Sequence, residues 1–196
     1  MSNQRRLSDE QNIEDREPDR LADELLVVRC QLGEPDAFDA LIERWHHPLW
    51  LYIRRMTGGH HEEQDLLQEV WLRVIRGIAR LRDGSRFRGW LFGIARRTLM
   101  DRLRREYAVL PADDVDVAEL AAQPETAGLE TDLASMETAL ETLPTVEREV
   151  LTLFYLHDLT LAELAQALNV PVGTVKSRLF RARGMLRAAM QERHYS

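Results

Sequence analysis

An all-α chain in two small helical domains is what this sequence predicts, and three observations carry that reading. Apolar residues recur at three- and four-residue spacing through residues 22–106 and again through 133–190. No stretch shows the apolar–polar alternation of a half-buried strand. Between the two blocks, residues 107–134 lose the periodicity and are rich in Ala, Asp, Glu, Gly and Thr, the composition of a flexible acidic linker.

Taken in order, residues 1–22 are polar and mixed in charge, with no apolar run of the secretory type, and are expected to form a disordered tail. A first helix over 22–32 sets Leu25, Leu26, Val28 and Leu32 at near-helical spacing and closes at Gly33. A second opens with Asp36 as its cap and aligns Ala37, Phe38, Leu41, Ile42, Trp45, Leu49, Tyr52 and Ile53 before Gly58-Gly59 stops it. A third, over 62–80, carries Leu66, Leu67, Val70, Trp71, Val74, Ile75 and Ile78. After a break at Arg82–Ser85, a fourth over 86–106 carries Phe87, Trp90, Leu91, Ile94, Ala95, Leu99 and Leu103. Four shorter helices follow the linker, over 133–143, 146–156, 161–168 and 172–190, with Pro144 in a first turn and Pro171 closing the last turn between helices.

The net charge of −7 over 196 residues hides a strong segregation. Eleven arginines lie between Arg73 and Arg105, opposed only by Asp83 and Asp101, whereas residues 106–147 contain no Lys or Arg. A polyanion senses such a local field rather than the total. The single cysteine, Cys30, excludes an intramolecular disulfide framework and suits a reducing cytoplasm. No run approaches the length of a membrane span. His46-His47 and His60-His61 lack any metal-ligand spacing, Pro48 and Gly58-Gly59 set them near helix ends, and no nucleophile–base set or phosphate loop is present. Neither catalysis, metal nor cofactor is expected.

The segment LTLAELAQALNVPVGTVKSRLFRARGMLR reads as a helix-turn-helix. Thr160 and Glu163 make a capping box, Leu161, Leu164, Ala165 and Leu168 form the buried side of its first helix, and Val172, Val175, Leu179 and Ala182 that of its second. The opposite face presents Thr174, Lys176, Ser177, Arg178 and Arg181 to a major groove, with Gly173 allowing close approach of the helix N-terminus to phosphate.

This motif, preceded by LPTVEREVLTLFYLHD, resembles region 4 of bacterial sigma factors of the sigma-70 family, in particular the extracytoplasmic-function (ECF) group. EEQDLLQEVWLRVIR and FRGWLFGIARRTLMDRLRR resemble regions 2.2 and 2.3–2.4 of the same family, in the same order. The resemblance implies a region 2 domain at 23–106, an acidic linker at 107–134 and a region 4 domain at 135–193. It implies core RNA polymerase (its β′ clamp helices and β flap), promoter DNA and an anti-sigma factor as partners. Asp65, Gln68 and Glu69 match the positions that bind the clamp helices, and on a helix they share one face. Arg82, Asp83, Gly84, Ser85, Arg86, Arg88, Trp90, Arg96 and Arg97 fall where the family reads the −10 element as single-stranded DNA and tracks the adjoining backbone. Trp90 stands on the apolar stripe and is either a core residue or a stacking surface. Pro171, Gly173, Thr174, Lys176, Ser177, Arg178, Phe180, Arg181 and Arg183 fall where it reads the −35 element as duplex. Where housekeeping members carry paired tryptophans, this chain has Phe92-Gly93, which implies dependence on a narrow promoter set. The linker is either a nucleic-acid mimic that yields to nascent RNA or an inert spacer. The competing role is a stand-alone helix-turn-helix regulator that never joins polymerase.

Overall fold

The computed structural model describes residues 17–59, 63–107 and 138–194; the expected linker at 107–134 beyond its first residue, His60-His61 and most of the expected tail lie outside them. Every regular element among the described residues is helical, in the order α1 (Glu17–Gln31), α2 (Pro35–Thr57), α3 (Glu63–Ile78), a 3₁₀ turn (Gly84–Arg86), α4 (Phe87–Tyr107), α5 (Thr145–Leu151), α6 (Leu161–Leu168) and α7 (Val172–His194). A helical turn at 138–141 precedes α5, and α5 widens into a π-helical stretch, Thr152–Leu156.

In the first block, α2 and α3 form an antiparallel pair: Phe38 near the start of α2 meets Trp71 late in α3 edge to face, with centroids 6.0 Å apart. Gly58 ends α2 in the left-handed conformation at φ 72° and donates its N–H to the Arg54 carbonyl, as the Gly-Gly stop requires. α4 then runs antiparallel to α3, tied by Arg73, which donates to Asp101 (2.9 Å) and Glu69 (2.6 Å). The side chain of Trp90 lies directly over Gly77, so close that a Cβ there would sit 2.8 Å from Cζ2. α4 therefore packs tightly on α3 only where α3 has no side chain.

Several local expectations are corrected. α1 begins at Glu17, inside the expected tail. Its buried side is Asp23 and Val27, while Leu21, Leu25, Val28 and Leu32 form an exposed apolar stripe, with Leu32 72% exposed. The periodicity was right and the face was wrong, because a polar residue occupies the centre of the buried side. Asp36 is not the cap of α2: Glu34 stands at that position without a side-chain cap, and Pro35 takes the first helical place. α2 continues through Pro48, so His46 and His47 lie mid-helix, exposed, rather than near an end. Ile75 and Val172 are exposed rather than buried, and Pro144 caps α5 instead of lying in its first turn.

Asp23 explains the α1 correction. It is 2% exposed and accepts from Arg88 Nε (2.6 Å), Arg44 Nε (2.7 Å) and Trp45 Nε1 (3.0 Å), uniting α1, α2 and α4. The Arg88 guanidinium also lies 5.2 Å from the Trp45 ring centroid. Removing one member of a buried ion pair strands the other charge, which costs about 3–5 kcal/mol. Asp23→Ala is accordingly expected to destabilise the first block by about 3 kcal/mol in urea unfolding, and a loss under 1 kcal/mol would refute the hub.

Candidate nucleic-acid interface

The helix-turn-helix forms as its sequence dictates. Thr160 Oγ1 accepts from Glu163 N (3.2 Å) and the Glu163 carboxylate accepts from Thr160 N (2.7 Å), completing the capping box. Asn169 closes α6 at φ 53°, a conformation Asn tolerates, and Val175, Leu179 and Ala182 seat α7 in the core. On the outer face of α7, Lys176 and Ser177 are exposed, Arg178 is half-buried and Phe180 is 82% exposed. Lys176 and Arg178 have no counter-ion among the described residues, so both guanidinium and ammonium groups are available to an anionic partner.

Two basic residues on this helix are already engaged. Arg181 donates through Nε and Nη2 to Glu147, a carboxylate only 5% exposed, with the Nε contact at 2.8 Å. Arg183 lies 5.5 Å and 5.4 Å from the ring centroids of Phe154 and Tyr155. Pro171 and Gly173 are exposed, and a Cβ at 173 would meet nothing within 4 Å.

The region around Arg82–Arg97 divides in the same way. Asp83 caps the 3₁₀ turn, accepting from Ser85 N (3.1 Å) and Ser85 Oγ (2.5 Å), and pairs with Arg86 (3.1 Å). The Ser85 hydroxyl, with that backbone N–H and Arg86 beside it, holds the Asp83 carboxyl below its ordinary pKa. The polar groups expected to read a base thus bond to each other here, while Arg82 stays exposed and Gly84 packs against Glu24. Arg88 is buried on Asp23, which does not suit the expected phosphate contact. Trp90 is half-buried, packed on Gly77 with Phe87 at 6.1 Å, which fits its core alternative. Arg97 is exposed and donates to the Gly93 carbonyl, 3.0 Å away.

Arg96 leads to a feature that the sequence did not announce. Its Nε donates to both oxygens of Glu149 on α5, at 3.1 and 3.2 Å, and Tyr52 on α2 donates its hydroxyl to the same carboxylate at 2.7 Å. Burial, and then the neighbouring Glu149 charge, push the Tyr52 phenol well above its ordinary pKa. Farther along, Arg20 of α1 forms a bidentate pair with Glu163 of α6 and donates to the Asp158 carbonyl at 3.3 Å. Burial alone would raise the Glu163 carboxyl, but hydrogen bonds from Arg20 and Thr160 outweigh it and hold the group below its usual value. The only sequence signal for these contacts was indirect: Glu149 sits at a position where a short amphipathic helix would bury an apolar residue.

On α3, Asp65 and Gln68 are exposed and Glu69 beside them is half-buried, paired with Arg73 and 3.6 Å from Arg105. Leu72 and Ile75 extend this strip with exposed apolar surface. The result is an acidic and apolar face suited to a basic partner. No cluster of His, Cys, Asp and Glu able to hold a metal occurs among the described residues, and no described helix is long and apolar enough to cross a membrane.

Comparison with known proteins adds an independent line. A model of sigma-70 region 2 matches residues 41–108 and a model of sigma-70 region 4 matches residues 133–186. The chain is 32% identical over 181 residues to the RNA polymerase sigma-H factor of Pseudomonas aeruginosa, covering 86% of this chain and 94% of that one. It is 32% identical to the ECF RNA polymerase sigma-E factor of Escherichia coli K12, covering 84% and 92%, and 29% identical to the ECF sigma factor SigW of Bacillus subtilis, covering 85% and 95%. CnrH, solved in complex with the cytosolic domain of CnrY, superposes with a TM-score of 0.63 at 25% identity, over 87% of this chain and 98% of that one. RpoE of Bartonella quintana, solved with the anti-sigma factor NepR, shares the fold with a TM-score of 0.64 at 24% identity, over 80% and 98%.

His157 provides a pH test of the packing. Its ring lies 4.8 Å from Phe92 and 6.3 Å from Tyr52 by centroids, with Nε2 buried and unpartnered. Burial, reinforced by Arg55, lowers its pKa from 6.5 to about 4. Above pH 6.5 the imidazole is neutral in both folded and unfolded chains and contributes no pH dependence. As pH falls from 6.5 toward 4, only the unfolded chain takes the proton, so stability drops and then levels off, by at most about 3 kcal/mol. His157→Phe is expected to remove this part of the slope: the wild-type minus variant stability should fall across that window, and a flat difference would contradict it.

Proposed function

We propose how this chain, which belongs to the sigma-70 family of RNA polymerase sigma factors and to its ECF group, directs polymerase to promoters. The strip of exposed Asp65 and Gln68 with half-buried Glu69, continued by Leu72 and Ile75, docks on the β′ clamp helices, and the C-terminal domain meets the β flap. The domain at 135–193 reads the −35 element as duplex through α7. The domain at 23–106 captures the −10 element as an opened strand. Chemistry belongs to the polymerase, and this chain supplies placement without a cofactor. The location of action is the cytoplasm, and an anti-sigma factor is the controlling partner; the RpoE of Bartonella quintana is solved in complex with one, NepR.

The observation that carries the −35 reading is the pair Lys176 and Arg178, without counter-ions on the exposed side of a capped helix-turn-helix. Pro171, Gly173, Thr174 and Ser177 set the α7 N-terminus toward phosphate, and Phe180 offers an apolar contact to a thymine methyl. Arg181 and Arg183 join only by exchanging their partners Glu147, Phe154 and Tyr155 for DNA. For the −10 element the free cations are Arg82 and Arg97, with Arg86 and Arg96 released from Asp83 and Glu149 on binding. Gly84 shapes the loop, Asp83 and Ser85 supply hydrogen bonds to a base once their mutual bond opens, and Trp90 and Arg88 hold the loop's frame from behind.

Run-off transcription with purified core polymerase and genomic promoter fragments tests the role. Promoter-specific product that needs this chain is expected, and a chain that binds duplex DNA but never co-elutes with core polymerase would favour the stand-alone regulator. Arg178→Ala should weaken −35-dependent initiation by roughly 1–3 kcal/mol, if it makes one base contact. Asp65→Ala with Gln68→Ala should instead lower affinity for core polymerase and leave duplex binding unchanged; equal loss of both would refute the division of labour.

A further inference from the structure

Asp23 and Val27 seat one side of α1 in the core, and the side opposite them is left to solvent. Leu21, Leu25, Val28 and Leu32 stand there, 70%, 61%, 47% and 72% exposed. Spaced by four, three and four residues, they fall within an arc of about 60° on a helix that turns about 100° per residue. The Leu32 N–H donates to the Val28 carbonyl at 2.9 Å, so the helical course holds one residue past the end of α1. A stripe this narrow has the a/d form of a coiled-coil seam, whereas a helix lying on a globular core shows a wider apolar face. Together the four side chains expose on the order of 400 Å² of apolar surface, the size range of patches that serve as contact sites.

The flanks of the stripe carry opposite charges. Glu24 lies along one edge and Arg29 along the other, five residues further on. That is the spacing at which a g carboxylate of one helix meets an e cation of a parallel copy, and the two-fold axis repeats the match on the other side. The Glu24 stem is held by the 3₁₀ turn, for a Cβ at Gly84 would lie 3.4 Å from its Cα, Cβ and Cγ. Arg29 gives Nε to Glu34 at 2.6 Å and has both terminal nitrogens to offer a second carboxylate. The rest of the chain matches this stripe less well. Residues 1–16 have only Met1, Leu7 and Ile13 as large apolar side chains, at six-residue spacing that gathers on no single helix face. Residues 108–137 contain no Lys or Arg and cannot answer Glu24.

We propose that α1 is a self-association surface that takes a second copy of this chain. The two α1 helices lie parallel, with Leu25 and Leu32 at a places, Leu21 and Val28 at d places, and Glu24 of each copy on Arg29 of the other. Pairing does not have to order the helix, because the three donors to Asp23 already fix it from behind. Two such stripes bury about 800 Å² between them, below the roughly 1,200 Å² of a stable complex, so the dimer is weak, with a Kd on the order of 50 µM. The inference does not depend on the role proposed above.

Sedimentation equilibrium of the full chain from about 5 to about 500 µM should follow a monomer–dimer curve, and a monomer throughout overturns the proposal. Leu25→Glu, at an exposed position, should keep the helical content and weaken association about tenfold or more; unchanged association overturns the seam. Glu24→Arg and Arg29→Glu each set like charges face to face and should weaken the dimer about threefold, while the double variant returns to within about twofold of the wild type. A double variant no better than the single ones overturns the parallel register. In a Cys30→Ser background, Val28→Cys should oxidise to a disulfide-linked dimer and Gln31→Cys, also exposed but on the flank, should not; equal cross-linking of the two overturns the proposal.

Discussion

Taking a carboxylate out of water costs several kcal/mol unless cations and hydrogen-bond donors surround it, and Glu149 stands where no single domain surrounds it. Its own helix, α5, offers it apolar neighbours such as Val150 and Leu151. The phenol and guanidinium it needs come from Tyr52 and Arg96, 97 and 53 residues away in the other half of the chain. The tertiary arrangement is therefore conditional. With the halves docked, the three groups satisfy one another where the halves meet. An interaction of this type fixes register and partner more than it adds stability, because the cost of taking the charges out of water offsets most of the gain.

The same logic recurs at Asp23 and at Glu163, with different outcomes. Asp23 draws its partners from α2 and α4 of its own block, so that hub is built without the second half and stands beside the loop at 82–86. Glu163 serves both purposes at once: it completes the cap of α6 locally and accepts Arg20 across the seam. The cap needs no residue outside the helix-turn-helix, so α6 is closed by its own sequence. Local bonds keep the modules folded, and the long-range bonds decide only how they sit.

How much of this was legible follows from that division. The helices were readable because a 3.6-residue period in apolar residues is a local property, and Gly33, Gly58 and Asn169 stop them by local backbone rules. The capping box at Thr160 was readable for the same reason. What escaped was the partner of each charge. Arg88, Arg96 and Arg181 look alike in a run of arginines, yet one is sunk on Asp23, one shared with Glu149 and one held by Glu147. The face of α1 escaped too, since assigning the inside to its leucines ignored a carboxylate with three donors waiting for it. The exposed strip at Asp65 and Gln68 was placed correctly as a face, because exposure on a helix follows from the positions its core neighbours leave over.

Gly89 and Gly93 show why composition alone misses a close approach between two helices. Glycine inside a helix costs roughly 0.5–1 kcal/mol relative to alanine, and α4 carries two of them one turn apart. Within the first block the glycine that admits Trp90 is Gly77 on α3. Both face α6, and at Gly89 the clearance is less than a methyl group. A helix that only had to line a DNA strand would be steadier with alanine at both places. The atoms nearest to a Cβ built at either place all belong to α6, so what the two glycines admit is the close approach of that helix.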